Sequence, residues 1–300
     1  MASYERREPM ASDDEIAAAI SELNRLDCEH VEFDDIVEKV RFLFDGLALE
    51  ANVIEPGTKL YRGRQMDSAP KHIRELYYPP PEYVNGFQRC NRPGKPLFYA
   101  SGNMATLLSE IKTKVGSTVY ISEWVTTAQL FCFYFPFRQP QKNITGARVQ
   151  TFVENRFSQP IHETFSSQYK ITAAISSLIV GEDIGFADSA ENGPKLGGLI
   201  YPSVAHPARS ENVALVPQAA DNSLKLLSVT SFKIVSVENH EYKFEELDFC
   251  SNFSYDIINW KGYPGSWQIK NLPAGGEISA IFDGYTWQMI DHAGNAIPKT

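Results

Sequence analysis

The side chains of this sequence that could do chemistry fall in four short polar segments, set between strand-like and helix-like stretches. Tyr61-Arg62-Gly63-Arg64 follows the start of a strand, and residues 86–101, GFQRCNRPGKPLFYAS, carry Arg89, Asn91 and Tyr99. Glu110 lies on the helix that follows, and residues 197–215, GGLIYPSVAHPARSENVAL, contain Ser203 and Asn212. A planar, permanently charged guanidinium such as that of Arg62 or Arg89 binds phosphate oxygens in bidentate fashion. A carboxylate such as Glu110 can face the positive charge that builds on a sugar ring as a glycosidic bond breaks. Tyr99, at the end of a strand, offers an aromatic face, and Ser203 a hydroxyl for a ribose or phosphate network. Taken singly, each of these residues is most often surface, salt bridge or core. Only the ordered set points to a site.

Several common catalytic signatures are missing. There is no G-x-x-x-x-G-K-[ST], no G-x-G-x-x-G and no G-x-S-x-G; His162-Glu163 begins H-E-x-x-H, but Ser166 stands where the second His should be. The four cysteines, Cys28, Cys90, Cys132 and Cys250, form no C-x-x-C pair and have no histidine at a metal-ligand spacing. Neither a metal site nor a disulfide framework is expected.

The elements that must position these residues can be read from periodicity. Ser12 with Glu15 has capping-box form, and Ile16, Ile20 and Leu23 then recur at the helical period. A second helix begins near Asp34 or Asp35 and carries Ile36, Val40, Phe44 and Leu47, and Glu55-Pro56-Gly57 ends this arm. Strands are expected over residues 58–62, 96–100, 119–125, 129–135, 199–201 and 232–237, and helices over 103–115 and 169–180. Residues 181–198 read as an exposed loop, and Asp283-Gly284 between two alternating runs as a type I′ hairpin turn. This divides the chain into an acidic helical arm (1–55), a main α+β domain (56–237) and a small β-rich appendage (238–300).

Composition bounds the function classes. With 300 residues, 43% of them hydrophobic, the chain can bury a sizeable core. No apolar run approaches the ~18 residues a membrane span needs, and the first fifteen residues hold no secretory signal, so a cytoplasmic location is expected. The net charge of -9 is local: residues 1–60 hold 6 basic against 15 acidic side chains, and residues 61–300 hold 22 of each. An acidic arm on a neutral body gives no footprint for nucleic acid.

In their order along the chain, these motifs resemble the RES domain family, named for an Arg, a Glu and a Ser. Its better-studied members are toxins of bacterial toxin–antitoxin pairs that attack NAD. The resemblance covers roughly residues 58 to 237. The early Leu-Tyr-Arg motif matches Leu60-Tyr61-Arg62; the Arg-aromatic-Asn motif with its downstream Gly and Tyr matches Arg89, Asn91, Gly94 and Tyr99, with Cys90 in place of the aromatic; the Ala-Leu-x-Glu helix matches Glu110; and the late motif matches Gly198, Tyr201, Ser203 and Asn212.

The resemblance implies an ADP-ribosyltransferase-like split mixed β-sheet with flanking helices, and NAD as substrate rather than as resident cofactor. It further implies Glu110, Arg89, Tyr99 and Ser203 as the catalytic set, with Arg62, Arg89, Asn91, Tyr99, Ser203 and Asn212 binding NAD and no metal. The implied reaction breaks the nicotinamide–ribose bond and passes ADP-ribose to phosphate, water or a macromolecule. An antitoxin on a separate chain and a homo-oligomer are the partners that follow, and neither nucleic acid nor membrane is among them. The alternative reading is a non-catalytic interaction protein with a degenerate site, its acidic arm the working surface.

Overall fold

The computed structural model describes residues 11–45, 47, 51–111, 113–135, 143–180, 195–205, 210–238, 241–261, 265–269, 279–282, 287–291 and 294–297. Most of the expected loop 181–198 and the Asp283-Gly284 turn lie outside them. The architecture is α+β. The helices are α1 (Asp13–Arg25), α2 (Phe33–Phe44), α3 (Met104–Glu110), α4 (Ile144–Ser158), α5 (Lys170–Val180) and α6 (Pro217–Ser223), with short 3-10 turns at Ile73–Leu76, Pro81–Tyr83 and Glu163–Tyr169. The strands of the main sheet are β1 (Ala51–Ile54), β2 (Lys59–Gln65), β3 (Phe98–Ser101), β4 (Thr118–Thr126), β5 (Leu130–Tyr134), β6 (Gly198–Pro202), β7 (Glu211–Leu215), β8 (Leu224–Glu238) and β9 (Glu241–Cys250). A two-stranded ribbon follows, β10 (Phe253–Ser254) with β11 (Ile257–Ile258). Then come β12 (Gly265–Ile269) and a small sheet of β13 (Ser279–Phe282), β14 (Trp287–Ile290) and β15 (Ala296–Ile297).

The main sheet runs β1-β5-β6-β7-β3-β2-β4-β8-β9, with β12 on the outer edge of β9. Its β5–β6 pair is parallel and its other pairs are antiparallel. In the middle the ladder nearly fails. β2 pairs with β4 from Lys59 to Gln65 and β3 with β7 from Phe98 to Ser101, yet β2 and β3 meet only at Tyr61 opposite Ser101. The sheet therefore has two halves joined at one position.

One face of the first half is covered by helices. Ser12 forms the expected capping box, its hydroxyl accepting from Glu15 N at 3.3 Å while Glu15 Oε2 accepts from Ser12 N at 2.8 Å. The apolar faces of α1 and α2, including Ile16, Leu23, Ile36, Val40 and Phe44, are buried in one core with Val149, Phe157, Ile175, Ile179, Leu199 and Ala214. Basic groups of α4 and α5 hold the acidic arm in place. Arg148 donates to both carboxylate oxygens of Asp13 at 3.0 and 2.9 Å, Arg156 to Leu23 O at 3.1 Å, and Lys170 to Val31 O at 2.7 Å. The arm is thus a packed layer rather than a free tail. Over the second half of the sheet, Met104, Leu107 and Leu108 of α3 pack on Tyr61, Ile121, Phe232 and Phe244. The opposite face carries a third core around Trp124, Phe98 and Leu76.

Several expectations are adjusted by the structure. The helix over 103–115 stops at Glu110, because the chain must turn at Lys114–Ser117 to enter β4; there Ser117 N and Oγ both donate to Lys114 O. Helix α4 was not expected, although its signals are present: Asn143 caps it by accepting from Gly146 N at 2.6 Å, and Val149, Phe152, Val153 and Phe157 are its buried large apolar positions. Strand β8 is longer than the segment 232–237, and its partner β9 continues the main sheet across residue 238. The hairpin near Asp283 pairs Phe282 with Trp287, where a two-residue Asp283-Gly284 turn would set Phe282 against Tyr285. Among the described residues, no helix is long and apolar enough to cross a membrane.

The packed arm gives a direct test. Phe44 is fully buried whereas Phe42, two residues earlier on the same helix, is 42% exposed. Phe44→Ala should lower unfolding free energy by about 3–5 kcal/mol, and Phe42→Ala by about 0.5 kcal/mol or less. Denaturant titration of the two variants measures the difference.

Candidate functional site

The site opens where β2 and β3 part. Continuing the antiparallel register past Tyr61 and Ser101 would set Gly63 against Tyr99. The backbones separate there instead, and Tyr99 O accepts from Arg62 Nη1 at 2.6 Å. A side chain has taken the place of a ladder hydrogen bond. Below the gap lies a cleft of about 450 Å³, lined by Arg62, Gly63, Arg89, Tyr99, Ser101, Glu110, Tyr201 and Asn212 among others. Its size is within the range of small-molecule sites.

Glu110 is the last residue of α3, and two features bring it to the cleft. Asn103 caps the helix start by accepting from Thr106 N at 2.8 Å. At the other end Gly63 lets the helix approach β2: a Cβ there would lie 2.0 Å from Ile111 Cδ1 and 3.3 Å from Leu107 Cδ1. The carboxylate is then held from the opposite half of the sheet. Its Oε1 accepts from Ser203 Oγ at 2.5 Å and from Asn212 Nδ2 at 2.8 Å, while Oε2 has no hydrogen-bond partner among the described residues. Such charge-assisted bonds are short and strong, and they fix a half-buried carboxylate in one orientation. Ser203 was expected to serve a ribose or phosphate network; the structure sets its hydroxyl on Glu110. Gly198, at the start of the strand that leads to Ser203, is required by close packing, since a Cβ would lie 2.2 Å from Ala214 O.

Tyr99 is anchored at its hydroxyl. It donates to Asn91 Oδ1 at 2.6 Å and accepts from Cys90 N at 3.1 Å, which ties the loop at residues 89–91 to β3. Asn91 therefore reaches the site through Tyr99 and does not line the cleft itself. Burial holds the Tyr99 and Tyr201 hydroxyls well above the usual phenol range, so both remain protonated. Burial also pushes the Cys90 thiol up to about 12, which leaves no thiolate nucleophile at neutral pH.

Both arginines line the cleft with much of their donor capacity used on the protein. Arg62 is 8% exposed and donates to Leu76 O at 3.0 Å, Tyr99 O at 2.6 Å and Tyr77 O at 3.3 Å, with its guanidinium 5.1 Å from the Phe98 ring centre. Burial, assisted by the nearby charge of Arg64, lowers it to about 9, still protonated at pH 7. Among the described residues no carboxylate pairs with it, so a buried positive charge borders the cleft with backbone carbonyls and an aromatic ring as partners. Arg89 donates to Phe157 O at 2.8 Å and Gln159 O at 3.2 Å, the carbonyls at the C-terminal end of α4, and stacks 5.3 Å from the Tyr169 ring centre. A cation there also suits the helix dipole.

The cleft thus gathers Arg62, Arg89, Tyr99, Glu110 and Asn212, with Ser203 and Asn91 one hydrogen bond behind. Tyr201 and Ser101 line it as well. Both stand in the segments singled out by sequence; Tyr201 matches the late motif of the resemblance without a role of its own, and Ser101 has no spacing signal. Compared with protein-family models and with curated proteins, the chain matches none.

The Arg62 arrangement is testable without a ligand. Arg62→Lys keeps the charge, but an ammonium cannot span three carbonyls set for a planar fork. Leaving buried carbonyls unsatisfied should cost about 1–3 kcal/mol of stability. Equal denaturation midpoints for Arg62→Lys and the parent would show that the fork is dispensable.

Proposed function

We propose that the chain is an NAD-consuming enzyme of RES type, on an ADP-ribosyltransferase-like split sheet. The observation that carries the reading is the placement of Glu110. One carboxylate oxygen is held by Ser203 and Asn212 and the other is unpartnered among the described residues, in a cleft bordered by two arginines and two tyrosines. In this reading the unpartnered oxygen faces the ribose. As the bond from C1′ to the nicotinamide nitrogen breaks, its electron pair leaves with nicotinamide and the ribose becomes oxocarbenium-like. Glu110 offsets that charge. Phosphate, water or a nucleophile on a macromolecule then bonds to C1′, and a proton leaves the acceptor where it carries one. The Arg62 charge attracts the pyrophosphate, and the Tyr99 ring forms a wall for the nicotinamide. No metal takes part in this scheme. If the chain acts as a toxin, its activity would be restrained by an antitoxin on a separate chain.

A second reading has its own observation. Arg62 and Arg89 spend guanidinium donors on backbone carbonyls, as expected of a scaffold retained after loss of chemistry in an interaction protein. Nicotinamide release separates the two. The enzyme reading predicts that purified protein liberates nicotinamide from NAD, and that Glu110→Gln lowers the rate by ~100-fold or more with little change in NAD affinity. Release by the variant at the parent's rate would remove Glu110 from the mechanism, and no release by the parent would favour the interaction protein.

A further inference from the structure

Ser101 occupies an unusual place. It is the β3 residue opposite Tyr61 at the junction of the two half-sheets, and on its other side it is opposite Asn212 of β7. It is 2% exposed, and Asn212 is 5% exposed. Its hydroxyl donates to Asn212 Oδ1 at 2.7 Å. Asn212 in turn donates through Nδ2 to Glu110 Oε1 at 2.8 Å.

This chain of bonds has a direction. An ionised carboxylate only accepts, so Asn212 must present its NH2 group to Glu110 and its carbonyl oxygen away from it. That buried oxygen needs a donor, and among the described residues the Ser101 hydroxyl is the one it has. Without it, the amide would either keep a buried acceptor unsatisfied or turn and point its oxygen at the carboxylate. Either outcome is unfavourable, and the second removes one of the two donors that hold Glu110.

We propose that Ser101 is a positioning residue for the reaction: its hydroxyl satisfies the Asn212 carbonyl oxygen while the NH2 group faces Glu110, and so keeps in place the amide that orients the carboxylate. The consequence for turnover rests on the reading of Glu110 as the catalytic carboxylate. The orientation of the amide does not. Ser101 also stands where the half-sheets join, so the residue at that junction supports the carboxylate of the cleft.

The test compares Ser101→Thr with Ser101→Val. Both place a β-branched side chain of nearly the same volume on the strand, and they differ in the hydroxyl. Two properties are measured: the steady-state constants for nicotinamide release from NAD, and the hydrogen-exchange rate of the Asn212 side-chain amide by NMR, assigned by its absence in Asn212→Asp. The hydroxyl account expects Ser101→Thr to match the parent. It expects Ser101→Val to lower kcat by ~10-fold with KM within about twofold, and to exchange the Asn212 amide ~10-fold faster. If the added methyl groups do not fit the junction, Ser101→Ala against the parent supplies the same contrast. Equal amide exchange with and without the hydroxyl would overturn the proposal. So would equal kcat in an active protein. If the parent releases no nicotinamide, the enzyme reading falls, and the exchange rates alone decide the role of Ser101.

Discussion

The structure turns on one failed pairing in the middle of a β-sheet. β2 and β3 are adjacent and antiparallel, yet they meet at Tyr61 and Ser101 and then separate. Backbone groups released from a ladder must find other partners or water. Here the Tyr99 carbonyl is satisfied by Arg62, a guanidinium that also binds the carbonyls of Leu76 and Tyr77. Arg62 thus does two things at once: it makes the gap tolerable and brings a positive charge to its edge. The cleft is the space that this substitution of side chain for strand leaves open.

The surrounding elements keep that space in shape. Arg89 ties the 89–91 loop to the end of α4, and Tyr99 ties the same loop to β3. The acidic arm packs on α4 and α5 in one core with residues of β6 and β7. From the other half-sheet, α3 delivers Glu110 across the gap to donors on β7 and just past β6. The carboxylate therefore bridges the two halves a second time, on the side chain level, close to their single backbone junction. A shift of one half against the other would change the hydrogen bonds of Glu110.

Much of this was legible in the sequence, for physical reasons that differ by element. The capping box at Ser12 is a local code, so the start of α1 was readable to the residue. The polar segments that form the cleft could be named because strand ends and their flanks carry residue types that cores reject. Glu110 was readable as a residue, but not as a helix terminus, since the turn that ends α3 depends on where β4 must begin. α4 was missed although its apolar period is regular. The failed β2–β3 pairing had no local signal at all, because pairing is decided between segments far apart in the chain. The same is true of the carbonyls that hold Arg62 and Arg89. From sequence an arginine offers charge to a ligand; only the fold shows how much of it the backbone has already claimed.

If the gap between β2 and β3 is where the substrate sits, its location can be mapped without measuring catalysis. The most direct measurement is a titration of isotopically labelled protein with NAD, followed by backbone amide NMR. The account predicts that the perturbed amides gather at residues 61–65, 88–91, 99–101, 107–111, 201–203 and 212, on both sides of the gap. Perturbations centred elsewhere, on the acidic arm or on the C-terminal strands, would contradict it, as would no binding at millimolar NAD.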